Sequence, residues 1–151
     1  MSMKDIYSYL ALATGLVPQT VTTGGGAKNS GDVDLQGCNA VTIVMNAGVS
    51  GDTLSTSLHH VVTLTHADDN GSGAAGTYNA VAAKDVLGVT PDVNGKIFDY
   101  DGTINVASSV SQVGYVGNKR FIKVTSTPTG TVTNGMPQSI IIVKGDRNIS
   151  P

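Results

Sequence analysis

The sequence contains no glutamate and no tryptophan, one cysteine and two phenylalanines in 151 residues. Each scarcity excludes something. Without Glu, paired-carboxylate catalysis would need two aspartates from different loops, and the spacing of the eleven Asp residues does not suggest such a pair. Without Trp and with few aromatics, a platform for stacking single-stranded bases is poorly supplied. Cys38 has no partner for an internal disulfide, and its neighbours Gly37 and Asn39 supply no base to activate it, so its expected role is that of a small buried hydrophobe. A net charge of −2 and a pI near 5.8 give no overall field to attract nucleic acid or an anionic membrane.

Long hydrophobic runs are also missing. The apolar stretch from Ile6 to Pro18 is too short and too polar to span a bilayer. Lys4 is cancelled by Asp5, which leaves no positively charged n-region for a secretory signal, so synthesis in the cytoplasm without export is expected. The sequon Asn148-Ile149-Ser150 then has no glycosylation context. No GxxxxGK[ST] phosphate loop occurs and no serine sits in a G-x-S-x-G elbow; Gly71 to Gly76 has GxGxxG spacing but lies in a polar, glycine-rich loop.

Valine, glycine and threonine are abundant instead, with Asp and Asn at the turns, which is the vocabulary of strands and tight connections. The expected fold is all-β: a single antiparallel β-sandwich, jelly-roll-like, carrying a short N-terminal helical arm. The arm is expected over residues 1–30. Ser2 to Asp5 has capping-box spacing, Ile6, Tyr9, Leu10 and Ala13 fall on one helical face, and a glycine-rich link follows. The body is expected over residues 31–151. Its strands are read at Val33–Leu35, Val41–Met45, Ser57–His66 and Lys96–Tyr100, with a closing strand at Gln138–Gly145. The run Ile140 to Val143 implies burial on both faces of that last strand. Gln112–Val116 and Lys119–Thr127 flank Gly117-Asn118 and should form a hairpin.

The candidate sites are few. On a strand from Leu58 to His66, His60 shares the face of Val62 and Leu64, and His59 points the other way. His60 and His66 lie about 20 Å apart at ~3.3 Å per residue and cannot share a metal. Asp99-Tyr100-Asp101-Gly102 imitates the middle of a calcium loop, but Ile97 and Ser108 occupy its first and last ligand positions, so a turn is expected. Asp68, Asp69 and Asn70 lie close enough together to hold an ion weakly, but a solvated loop tip is the expected reading. No catalytic residue, metal, cofactor or small-molecule substrate is expected, and no nucleic-acid or membrane partner. Three of the nine cationic side chains, Lys119, Arg120 and Lys123, crowd into five residues. Two lysines beside Phe121 could bind a phosphate, or could simply charge a sheet edge against aggregation. Arg120 shares a face with Ile122 and Val124 and asks for an Asp or carbonyl partner.

Four stretches in order, "DVDLQGCNAVTIVMNAG", "ADDNGSGAAGTYNAVAAKDVLG", "GYVGNKRFIKVTSTPTGT" and a strand ending in "IVKGDRN", resemble small proteins encoded near the major capsid gene of tailed bacteriophages. The resemblance covers Asp32 to Asn148, and the segment around Lys119 and Arg120 is its most specific part. Cys38 stands where that group has an aromatic and Phe121 where it has tyrosine. The resemblance implies a virion structural protein, foremost a head decoration or cement protein on the capsid surface. Its implied partners are the major capsid protein and further copies of itself, as a homotrimer. Ile6, Tyr9, Leu10, Lys119, Phe121, Lys123, Ile141 and Val143 are the expected interface residues. A head-to-tail joining or minor tail protein and a carbohydrate-binding adhesion module are the alternatives.

Overall fold

A computed structural model of the chain describes residues 6–103 and 109–147, with side chains described as far as residue 145. The Ser2–Asp5 box, Ser108 and the Asn148 sequon lie outside these residues. Eleven strands are described: β1 (Ala11–Val21), β2 (Lys28–Asn29), β3 (Val33–Asp34), β4 (Cys38–Ala47), β5 (His59–Ala67), β6 (Asn79–Ala80), β7 (Val86–Leu87), β8 (Lys96–Tyr100), β9 (Ser109–Tyr115), β10 (Phe121–Thr129) and β11 (Met136–Arg147).

They form two antiparallel sheets. One has the order β1-β11-β4-β9-β7; the other runs β2-β10-β5-β6, with β3 also on β10 and β8 also on β5. Period-2 alternation decides which side chains meet between the sheets. Ile43, Met45, Ile140 and Ile142 face inward from the first sheet, and Val62, Leu64, Ile122 and Val124 from the second, in one continuous core. The all-β sandwich expected from the residues is therefore the fold. Among the described residues no helix is long and apolar enough to cross a membrane.

The N-terminal helix is reduced to one 3-10 turn, Tyr7–Tyr9, and the chain then runs as β1 along the edge of the first sheet. Helical spacing of Ile6, Tyr9 and Leu10 competes with a long antiparallel pairing of β1 to β11, from Ala11 opposite Lys144 to Val21 opposite Met136. The pairing prevails because it buries Leu16 and Val21 and satisfies one side of β11. Gly15 allows the approach: a Cβ there would lie 2.5 Å from Ile140 Cγ2. Pro18 falls within the second register shift, between Leu16 and Gln19, on an edge strand where a missing N–H is tolerated. The glycine-rich segment after it is tied down as well. Thr23 N donates to Val132 O at 2.9 Å, its hydroxyl to Gly130 O at 2.7 Å, and β2 joins β10.

Three further expectations change. Residues Gly117 and Asn118 do not close a hairpin: β9 pairs with β4 and β7, whereas β10 pairs with β5, β2 and β3, so the loop crosses from one sheet to the other. Gly117 is not among the glycines with positive φ, which a two-residue hairpin turn of this kind requires. The apolar run in β11 is not buried on both faces. Ile140 and Ile142 are inside, Ile141 is 47% exposed and Val143 half-buried. Cys38, at the start of β4, is half-buried and free.

Candidate functional site

The crossing loop brings the chain's cationic cluster to one end of the six-stranded sheet. Arg120 Nε and Nη2 donate to Asp34 Oδ1 and Oδ2 at 3.0 and 2.8 Å, a bidentate pair, and Nη1 donates to Asp69. The guanidinium also lies over the Phe121 ring, 5.0 Å from its centroid. The partner that Arg120 demanded is thus two carboxylates. Lys119 Nζ meets Asp68 at 2.5 Å. Lys123 Nζ meets Asp32 at 2.9 Å and sits 4.2 Å from the Tyr78 ring centroid, while the Tyr78 hydroxyl donates to the same Asp32 oxygen at 2.9 Å.

Electrostatics follow the geometry. The Lys123 bond first, then the Tyr78 hydroxyl, hold the Asp32 carboxyl below the usual carboxylate range. Arg120 does the same for Asp34. For Asp69 the leading causes are the backbone N–H groups of Gly73 and Gly71, with Arg120 adding to them. Asp69 Oδ1 accepts those two bonds at 3.0 and 2.7 Å, and Asn70 Oδ1 accepts from Ser72 N at 2.9 Å, so the loop is wound on its own side chains. Three cations pair with four carboxylates here and Lys144 Nζ donates to the Asp34 carbonyl beside them, so the charges balance with no excess positive charge for a phosphate. What the arrangement does is fasten β3 and the 68–76 loop to the start of β10.

Behind the cluster, the buried Tyr115 hydroxyl accepts the Lys119 N–H at 3.2 Å and lies 3.0 Å from His66 Nδ1. Burial pushes the Tyr115 hydroxyl up to about 12 and pushes His66 down, which favours the neutral form of both groups. A groove of ≈500 Å³ borders this end, lined by Leu35, Cys38, Val41, Tyr115, Lys119 and Arg120 among others. His60 is fully buried on the same strand as His66; its Nδ1 accepts from Gln138 Nε2 at 2.9 Å, and Gln138 Oε1 accepts from the Ser126 hydroxyl at 2.6 Å. His59, on the outer face, pairs with Asp99 at 2.6 Å, and Asp99 pairs with Lys96 at 2.9 Å. Asp101 Oδ1 accepts from Thr103 N and Oγ1 at 2.9 and 2.8 Å, the geometry of a turn. Among the described residues no three His, Cys, Asp or Glu side chains converge as a metal site.

The expected interface residues divide into two groups. Lys119 and Lys123 are engaged by Asp68 and Asp32, and Phe121 is 4% exposed, so it supports the cluster from within and presents no surface. Ile6, Tyr9, Leu10, Ile141 and Val143 gather at the five-stranded sheet: Ile6 and Tyr9 are exposed, and Leu10 reaches toward Gly145 beside them. Asp32 and Asp34 were not singled out from the residues, and Asp68 and Asp69, expected as a solvated loop tip, pair instead with Lys119 and Arg120. Arg120 on an apolar face was the signal for its own partners, Asp34 and Asp69.

No family model matches the sequence, and no curated protein matches it at a significant level. Among solved structures, the crystal structure of the SPBc2 prophage-derived protein YomS is similar at 13% identity, with a TM-score of 0.39, covering 89% of this chain and 92% of that one. A likeness of that strength carries no inference about function.

Proposed function

We propose that the chain is a structural protein of a tailed-bacteriophage virion, a head decoration or cement protein. It is made in the host cytoplasm and bound as a homotrimer to the outer lattice of the major capsid protein. The observation that carries this reading is the use made of the residues on which the resemblance rests. Lys119 and Arg120 are neutralised inside the chain, where they fasten loops to a rigid sandwich. Such a body acts by contact area. A cement protein buries surface across seams between capsid subunits, so that rupture under internal pressure must also break those contacts. Binding only the expanded lattice stabilises that lattice by mass action.

The test is to mix the purified protein with expanded and unexpanded heads that lack it, sediment them, and heat them. Co-sedimentation with expanded heads and a higher disruption temperature are expected. Failure to bind heads, or binding confined to isolated tails, would contradict the reading.

A further inference from the structure

The two outer faces of the sandwich differ in charge. The described ion pairs all lie on the six-stranded sheet and its loops. Among the described side chains, the five-stranded sheet projects no charge outward. Lys144 belongs to the inward row of β11 and donates to Asp34 O at 3.1 Å. Cross-strand registers set out what the outer face does carry. Leu12 stands opposite Val143, Val143 opposite Thr42, Thr42 opposite Gly114, and Gly114 opposite Leu87. The next row runs Thr14, Ile141, Val44, Gln112. Leu12 is 69% exposed, Leu87 60% and Val110 70%, and Tyr7, in the turn leading into β1, is 91% exposed.

Single exposed hydrophobics are ordinary, but an uncharged face that joins several of them is the composition of an interface core. We propose that this face is where copies of the chain associate, three five-stranded sheets turned toward a common axis with the Ile141 row at its centre. The inference rests on the self-association in the reading above and assigns it a surface. Charge selects the occupant. A symmetry axis places a face against its own copies, which sets like charges together on any charged face and none among the described side chains of this one. Area agrees. Four long strands about 4.8 Å apart, each showing about seven residues at ~3.3 Å, make about 450 Å² of flat sheet. Side-chain relief, β7 and the Ile6–Leu12 segment bring this toward the about 800 Å² per partner of a stable interface.

Sedimentation equilibrium of the full chain tests it, at concentrations up to about 100 μM, where weak association with micromolar Kd is populated. The wild type is expected at three times its 15.4 kDa chain mass. Ile141→Lys with Leu12→Lys is expected to give a monomer with an unchanged far-UV spectrum. Because Ile141 sits on an inner strand of its sheet, a second variant, Thr14→Lys with Gln112→Lys, adds charge at exposed polar positions without removing any apolar group, and it too should be monomeric. A wild-type monomer or dimer, or a trimer that persists in the folded variants, would overturn the proposal. Head binding is scored separately by co-sedimentation, so either result can fail without the other.

Discussion

Arg120 joins two aspartates that are 86 and 51 residues distant in sequence, and His60 joins a glutamine 78 residues distant. Both are polar groups set against a core, and both depend on partners from other strands. For His60 the consequence is a pH dependence. Burial lowers its pKa below the ordinary 6.5, opposed by Asp52 and assisted by His59, and burial lowers His66 likewise. The unfolded chain takes up these protons below about pH 6.5 and the folded chain does not. Stability from the neutral imidazoles is therefore complete above that pH and is lost as pH falls through the folded values. The aspartates with lowered pKa add a second loss only below their ordinary 3.8. Thermal melts should show Tm falling between pH 7 and 5, with a shallower fall in His60→Gln. A flat Tm over that range would show that the imidazoles do not titrate on unfolding.

At the scale of elements, β1 is the test of how the sheets are completed. It closes one edge of the five-stranded sheet and adds Leu16 and Val21 to the core. Each buried side chain of this size stabilises by about 1.5–3 kcal/mol, and the open edge of β11 would add unpaired backbone. A chain lacking residues 1–21 should lose cooperative urea unfolding or aggregate. Retention of a sharp transition would mean that β1 is dispensable, as a detachable arm would be. The strands whose alternation was plain in the sequence, β4, β5 and β10, are found where the pattern placed them. β1 was misread because the spacing of Ile6, Tyr9 and Leu10 is local information, whereas its partner β11 lies more than a hundred residues on. Gly117-Asn118 misled for the same reason: turn chemistry is local, and the pairing of β9 with β4 and of β10 with β5 is not. At the candidate site, the need of Arg120 for a carboxylate could be read, but which carboxylate depended on the folded register of β3 and the 68–76 loop.

At the scale of the molecule, the sandwich has one charge-paired side and one whose described side chains project no charge, and the proposed roles follow that division. In the proposal, that second face serves association of copies and the assembled trimer serves the capsid. Decoration implies stoichiometry: a protein that covers a lattice is present in simple ratio to the subunit that forms it. The measurement to make is quantitative mass spectrometry of intact purified virions, as copies of this chain per copy of the major capsid protein. Decoration requires hundreds of copies per virion in simple ratio to the capsid subunit. A dozen or fewer would place the chain at the neck or tail, and its absence from virions would contradict a structural role there altogether.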